Sequence, residues 1–496
     1  MGRRNEKRRQ NRSGESGKTT PLHIPKLNKN TEKTAQKLTL KLIWIGGIIG
    51  VEVFLLWGKT KIRVVFLSLP KGTRWPSEEN PKSPEYSGKY SSESKAKYYA
   101  GKLSMFEGDD LEFVGKNLVR TEADLKDINE KVKDEDGVLA FILTIYPPAL
   151  RKVINWGKPT VLVNTVFEIP YIYNFGPARG KKNVIPVSSS DFGDVGRKLR
   201  VLKAIHKLRN TKILVHGHEL PGKFIKQAKE KLGVEFIKLE TQRLAKAYKN
   251  ADEGAAEKLA EKWINNAEEV VEPTRRDVVE ACKLYLAVRK IIEEERARGI
   301  AESIFCLRSD DMPLPCLTIA QLNDDGLIGT CQADLAACLT QLMIGYIAEK
   351  PGFVANVHVD TARNLLGLAH CVSPTKMDGV NSEPEPYVLR NHMGLYRSVA
   401  VDVRMRVGQK VTVASFVPFE KMLIYTGVIV GNVNQPHHDC RTYVAIKVKD
   451  AKRILKNYLR EDLPGLGHKV LFYGDWVEEV QDLGQLLGFD VINEME

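Results

Sequence analysis

Residues 315–371 read PCLTIAQLNDDGLIGTCQADLAACLTQLMIGYIAEKPGFVANVHVDTARNLLGLAHC. A short apolar run ends at Thr330 or Cys331 and predicts a buried strand, and the apolar segment after it predicts a helix and a second strand. The polar residues that follow or end the two strands are Gln332, Asp334, Asn356, His358 and Asp360. Because the carboxyl ends of strands in α/β sheets line ligand crevices, this stretch predicts a binding site.

Upstream of this stretch, predicted strands alternate with predicted helices. The strand-like runs lie at 62–69, 137–145, 160–165, 212–217, 234–239 and 303–307. Amphipathic segments at 191–210 and 274–298 predict helices, the second opened by Thr274 as a cap. This alternation is typical of parallel sheets covered on both faces. We therefore expect one α/β domain over residues 59–190 and a second over 191–355.

Downstream of the stretch the pattern changes. Over residues 356–496 helices nearly vanish, and segments with strand propensity follow one another at close spacing. This spacing predicts an antiparallel sheet or barrel. The predicted fold class is therefore α/β, with two Rossmann-like parallel-sheet domains followed by a C-terminal antiparallel, barrel-like domain.

The positive charge of the chain is concentrated at its start. The 496 residues carry a formal charge of +13, but residues 1–41 hold 12 Lys and Arg against three acidic residues, so the other 455 residues carry only +4. A basic groove through the folded body is thus not indicated, and nucleic acid is not an expected partner. Residues 1–37 are polar and without helical or strand period, and we expect a disordered arm.

An apolar segment follows the arm over residues 38–58. It contains LIWIGGIIGVEVFLLW, with Glu52 as its only charge and lysines on both sides. It is short for a bilayer span, but a basic region before an apolar run is typical of a membrane anchor or an uncleaved signal sequence. We therefore predict an N-terminal hydrophobic helix that attaches the protein to a membrane. The alternative is a hydrophobic helix docked on the body.

One glycine-containing loop has the spacing of a phosphate-binding motif. Residues 217–224, GHELPGKF, lie between a predicted strand and a predicted helix, but Phe224 takes the place of the Ser or Thr that would bind magnesium. Nucleotide hydrolysis is therefore not expected. His216 and His218 beside this loop are either solvated loop residues or part of a crevice at the strand end.

Four short segments resemble the C-terminal half of the L-fucose isomerase and L-arabinose isomerase-like superfamily. They are Thr330–Leu335 with Leu339–Thr340, Ala369–Pro374, Cys440–Thr442 and His468–Asp475. The resemblance covers roughly residues 300–496, and the two upstream α/β units suit the N-terminal domains of that family. It implies an aldose–ketose isomerase that acts on a sugar through an enediol, uses a divalent ion, typically manganese, and forms a homo-oligomer.

The resemblance also implies a set of site residues. The family's metal-binding Glu, Asp and His are matched here by Gln332, Asn356 and His468. An amide oxygen can ligate a hard cation, but it is neutral and has no useful basicity. Three explanations follow: the site is inactive, Asp334, Asp360 or Glu349 has taken over, or the protein binds its sugar without turnover. The last is the alternative function, a carbohydrate-binding or regulatory protein on the isomerase scaffold.

Four further residues are candidates for substrate binding: His358, His370, His392 and Arg441. His370 precedes Cys371, so the two are either part of the site or a structural pair, since free Cys is often buried. His392 lies in a region rich in loop residues, where binding groups concentrate.

Overall fold

The computed structural model describes backbone at residues 43–45 and 48–50, and then residues 58–73, 91–164, 172–303, 312–392, 395–433, 440–463 and 467–496. The predicted basic arm, residues 1–37, lies outside this part. The chain divides into two units, Met1–Val53 and Phe54–Glu496.

The first unit contains a short hairpin. Strands β1 (Ile43–Ile45) and β2 (Ile48–Gly50) pair antiparallel. The predicted hydrophobic helix over 38–58 is therefore wrong at these six residues. The sequence offers a physical reason, because β-branched isoleucines flank Gly46 and Gly47, the kind of residue pair that two-residue hairpin connections favour. Nearly all other residues of 38–58 lie outside the described part. Among the residues that are described, no helix combines the length and hydropathy needed to cross a bilayer.

The second unit begins with a five-stranded parallel sheet in the order β4-β3-β5-β6-β7. The strands are β3 (Thr60–Leu67), β4 (Leu111–Val119), β5 (Gly137–Ile142), β6 (Thr160–Asn164) and β7 (Val184–Val187). Helices Ser92–Lys102 and Gly193–Arg209 cover one face, and the shorter Ile128–Lys131 and Leu150–Ile154 cover the other. Burial of both faces explains why most of these strands are continuous apolar runs.

A second parallel sheet follows, with the strand order β12-β11-β8-β9. Its strands are β8 (Lys212–His216), β9 (Glu235–Leu239), β11 (Gly299–Glu302) and β12 (Ile328–Cys331). Its helices are Gly222–Gln227, Thr241–Lys249, Glu253–Asn266, Arg275–Glu295, Cys316–Asp324 and Leu335–Ala348. Thr274 caps its helix in a capping box with Asp277, as predicted. A strand occupies Gly299–Glu302, directly before the strand predicted at 303–307; Ser303 is not in a strand, and residues 304–307 lie outside the described part.

The last part of the chain forms a closed antiparallel barrel of six strands, in the order β17-β20-β13-β14-β19-β18 and back to β17. The strands are β13 (Phe353–Asp360), β14 (Leu365–His370), β17 (Lys410–Val417), β18 (Lys421–Asn432), β19 (Thr442–Lys447) and β20 (Lys469–Tyr473). The two parallel sheets and this barrel confirm the predicted α/β class. The domain boundaries stay a prediction.

Smaller elements complete the second unit. A final strand, β21 (Asp490–Asn493), adds in parallel to β18. A separate three-stranded sheet contains β10 (Glu269–Val270), β15 (Tyr387–His392) and β16 (Leu395–Val403). Helices Ala451–Tyr458 and Val477–Leu487 flank β20 in the chain. One apolar cluster receives side chains from all six barrel strands and so forms the barrel interior, whereas a second packs the barrel against helix Leu335–Ala348.

Candidate functional site

A cleft of about 1170 Å³ lies where the carboxyl edge of the second parallel sheet meets the barrel. The sheet contributes the loop after β8 and the turn after β12, and the barrel contributes the second half of β13 and the start of β20. Four of the predicted site residues line this cleft together: Gln332, Asp334, Asn356 and His468. Parallel strands end at one edge of their sheet, so β8 and β12 deliver their loops to the same place.

The turn after β12 has an unusual backbone. Gln332 and Ala333 both have positive φ, at 59° and 48°, a conformation that non-glycine residues adopt rarely. The Ala333 N–H donates to the carbonyl of Glu302 at 3.0 Å, which ties the turn to the neighbouring strand β11. Strained backbone of this kind persists where the surroundings over-determine it and is concentrated at functional sites. Here it leaves the Gln332 amide exposed on the cleft wall.

Asp334 joins the sheet to the barrel. Its Oδ1 accepts from the N–H groups of Ala336 and Ala337, at 3.1 and 2.9 Å, and so caps helix Leu335–Ala348. Its Oδ2 lies 2.9 Å from Nδ1 of His468. Burial has the largest influence on the pKa of Asp334 and raises it, but the hydrogen bonds from His468 and Ala337 and the charge of the histidine together hold the pKa below its ordinary value.

His468 presents its other nitrogen without a partner. A carboxylate only accepts hydrogen bonds, so the contact with Asp334 assigns a proton to Nδ1 of His468. Its Nε2 is buried and has no hydrogen-bond partner among the described residues. The ring of His370 packs edge-on at 5.1 Å between centroids. His370 is fully buried, and burial first, then the nearby His468 and His392, lower its pKa to about 3.

Asn356 borders the cleft because of the barrel register. Strand β13 pairs with β20 only as far as Ala355 opposite Lys469, whereas on its other side Asn356 pairs with Ala369 of β14. Beyond Ala355, β13 makes no further ladder pairing with β20 among the described residues. The exposed Asn356 side chain lines the cleft where this pairing ends.

The donor set is a poor match for manganese. Within the described part of the chain, no three His, Cys, Asp or Glu side chains converge as metal ligands. The cleft offers Nε2 of His468 and the neutral amides of Gln332 and Asn356, whereas both oxygens of Asp334 already accept hydrogen bonds. Mn²⁺ sites favour carboxylates and imidazoles. We therefore derive no chemical step through a metal, and manganese stays a prediction.

Six other predicted residues lie outside the cleft lining. Asp360 pairs with Arg363 in a turn, and Glu349 ends helix Leu335–Ala348 and contacts Lys203. The exposed ring of His358 lies 5.3 Å from the ring of Tyr443. His392 and Arg441 are buried, the first at 3.4 Å from Cys316 and the second donating to Asn391 at 2.6 Å. His370 lies behind His468. The roles predicted for these residues stay predictions.

The structure adds two buried pairs of titratable side chains whose pairing the sequence did not predict, one at the carboxyl edge of the second parallel sheet and one on the cleft wall. His216 Nδ1 lies 2.5 Å from Glu302 at the carboxyl ends of neighbouring strands, and burial raises the pKa of Glu302. Lys469 and Glu494 pair at 3.1 Å on the cleft wall. His218 and Phe224, from the loop with phosphate-motif spacing, also line the cleft. The sequence would have placed Glu302 at the edge of the sheet only if the end of β11 had been predicted at this residue.

No protein-family model matches the chain. Two curated proteins are similar to it, the sulfoquinovose isomerases of Priestia aryabhattai and of Priestia megaterium (strain ATCC 12872 / QMB1551). Each is 24% identical over 316 residues, which cover 59% of this chain and 67% of the relative. The chain is thus a distant relative of sulfoquinovose isomerase.

Proposed function

We propose that this protein is an aldose–ketose isomerase, or a close functional relative, that acts on a sugar or sugar acid in the cleft between the second parallel sheet and the barrel. One observation carries the proposal: Gln332, Asp334, Asn356 and His468, which come from three separate segments of the chain, line a single cleft. The distant relationship to sulfoquinovose isomerase supports the same reaction class. The finer assignment, to the fucose isomerase-like superfamily, is part of this proposal.

Isomerisation requires a proton to move between two neighbouring carbons of the sugar through an enediol. The amides of Gln332 and Asn356 cannot carry it, but they donate to and accept from sugar hydroxyls. The titratable side chains left on this wall of the cleft are Asp334 and His468. Asp334 holds the His468 ring so that Nε2 is directed away from the carboxylate. We therefore propose that the amides orient the sugar and that the Asp334–His468 pair transfers the proton.

A second function has its own observation in favour. Among the described residues, the carboxylates that line the cleft are Asp334 and Glu494, and both already accept hydrogen bonds from protein groups. A site whose carboxylates are both engaged by protein groups suits a protein that binds its sugar without turning it over. This carbohydrate-binding or regulatory alternative predicts sugar-dependent stabilisation and no ketose product.

The deciding experiment is an isomerisation assay on sulfoquinovose and a panel of neutral pentoses and hexoses, with ketose detected by NMR, in the presence of EDTA or of added Mn²⁺. We expect product from the wild type and from the control Asp252→Ala, whose side chain caps helix Glu253–Asn266 outside the cleft lining, and none from His468→Ala. Stabilisation by an aldose without ketose formation would establish the binding alternative. If no sugar gives ketose product and none stabilises the protein, both the isomerase function and the binding function are refuted.

Three further predictions remain proposals. Manganese, if the EDTA arm abolishes turnover, would be held by Gln332, Asn356 and His468. A homo-oligomer is tested by light scattering of the purified protein. Attachment to a membrane through residues 38–58 is tested by whether the full chain pellets with lipid vesicles and a chain lacking residues 1–58 does not.

A further inference from the structure

The cleft has a second polar wall, formed by Lys469 and Glu494. Lys469 is the first residue of β20, and Glu494 directly follows β21, the last strand. The side chains are only 7% and 1% exposed, yet both residues line the cleft. Lys469 lies within the resembling segment His468–Asp475, but neither residue is among the site residues that the resemblance implies.

Strand geometry separates this wall from the one that carries His468. Successive side chains of a strand point to opposite faces. Val470 packs between the barrel and helix Leu335–Ala348, as expected on the face of His468, whereas Leu471 packs inside the barrel, on the face of Lys469. The cleft is therefore bounded by one polar group outside the barrel and another at the end of the barrel interior.

The contacts of the pair leave hydrogen-bonding capacity unused. Nζ of Lys469 lies 3.1 Å from Glu494 Oε2 and 3.4 Å from the Ser415 hydroxyl, and 5.4 Å from the centre of the Tyr425 ring. Oε1 of Glu494 accepts from the Asn457 amide at 3.1 Å. An ammonium group has three N–H donors and a carboxylate about four acceptor positions. Among the described residues, one donor and two acceptor positions thus remain for a ligand.

Stability alone is a weak reason for such a pair. Removing two charges from water costs several kcal/mol per ion, and apolar replacements are often at least as stable. The surrounding cleft wall is largely apolar, with Val357, Ile454 and Leu455 among its residues. Binding pockets characteristically combine apolar walls with a few polar groups that fix the orientation of the ligand.

We propose that Lys469 and Glu494 orient the substrate by binding a hydroxyl group of a polyhydroxylated chain, which accepts from the ammonium group and donates to the carboxylate. The pair is a positioning and specificity element, remote from the carbons that react. This inference rests on the proposed sugar-isomerase function and names a second point at which the sugar is held.

The test uses four polyols, xylitol, ribitol, galactitol and mannitol, because they present sugar hydroxyls and cannot be isomerised. Binding to the full chain is measured by calorimetry and by thermal stabilisation. The variant is Lys469→Met with Glu494→Gln, which keeps the volume and leaves no buried charge alone. We expect affinity to fall at least about tenfold, as for the loss of a hydrogen bond to a charged group.

The matched control is another largely buried ion pair, Lys198 with Asp482, whose charged atoms lie 2.6 Å apart between two helices and outside the cleft lining. Lys198→Met with Asp482→Asn should leave polyol affinity within about twofold of wild type. Equal polyol binding by the wild type and the cleft variant overturns the inference, and so does a wild type that binds none of the four polyols.

Two readouts separate this inference from the proposed function. Ketose formation is measured independently, so a protein that binds polyols through the pair but forms no ketose contradicts only the isomerase.

If the double variant does not fold, Lys469→Arg serves instead, because the planar guanidinium keeps the charge but presents its donors differently. Lys469→Arg should change the order in which the four polyols rank by affinity. If both the order and the affinities stay unchanged, the proposed role is overturned.

Discussion

The two contacts of Asp334 can be separated by mutation. Asp334→Ala removes both the cap of helix Leu335–Ala348 and the hydrogen bond to His468. Loss of an Asp cap costs about 1 kcal/mol, and a buried ring nitrogen left without its partner costs about 1–3 kcal/mol. We therefore expect the free energy of unfolding, from urea titration, to fall by about 2–4 kcal/mol.

Asp334→Asn should behave differently. Asn caps helices about as well as Asp, so stability should stay within about 1 kcal/mol of wild type. With its amide oxygen on the cap, the Asn would donate to Nδ1 of His468 and so move the ring proton to Nε2. We expect ketose formation or sugar binding to be lost although the protein remains folded.

Asp252 provides the control, since it caps helix Glu253–Asn266 through Ala255 at 3.0 Å and has no histidine partner. Asp252→Ala should lower the free energy of unfolding by about 1 kcal/mol. Equal losses for the two Ala variants would refute the reasoning, because the contact with His468 would then contribute nothing. An Asn variant with wild-type activity would refute the proposed role of the ring.

Two other predictions concern charge in the same region. Gln332→Glu combined with Asn356→Asp should raise the affinity for Mn²⁺ at least about tenfold, measured by calorimetry, because two carboxylates replace neutral amides. A wild type that binds Mn²⁺ as tightly as this double variant would contradict the prediction. His370 has a pKa lowered to about 3, so below pH 6.5 the unfolded chain binds a proton that the folded chain does not, and stability falls as the pH falls. Between pH 7 and pH 4 the free energy of unfolding should fall by about 3 kcal/mol because of His370. His370→Asn should abolish this pH dependence, and His358→Asn should keep it. Equal pH slopes for the two variants in urea unfolding would contradict the prediction.

Elements with a clear local pattern were predictable. Strands β5 and β6 are buried on both faces and so are nearly continuous apolar runs, and β3 is apolar from Val64 to Leu67, a pattern that a sequence displays directly. Strand β12 ends at Cys331, within the predicted limits, and the polar residues after it reach a cleft as expected.

Elements shaped by a neighbour were missed. Strand β4 has a bulge at Gly115 and Lys116, both with positive φ, and its middle is exposed, so neither apolar run nor alternation marks it. Strand β11 begins at Gly299, where a Cβ atom would lie 2.0 Å from the Ile328 carbonyl oxygen. The need for glycine there comes from the strand beside it, not from the local sequence.

The sequence by itself thus determined the fold class and indicated Gln332, Asp334, Asn356 and His468 as site residues. The periodicity of apolar residues and short motifs can be recognised without knowledge of the tertiary structure. Only the tertiary structure decided how these site residues are used. The bond between Asp334 and His468 spans 134 positions, and the pairing of Lys469 with Glu494 depends on closure of the barrel and on a last strand added to its edge. Hydrogen bonds act over about 3 Å, so contacts between distant positions exist only once the chain has brought them together.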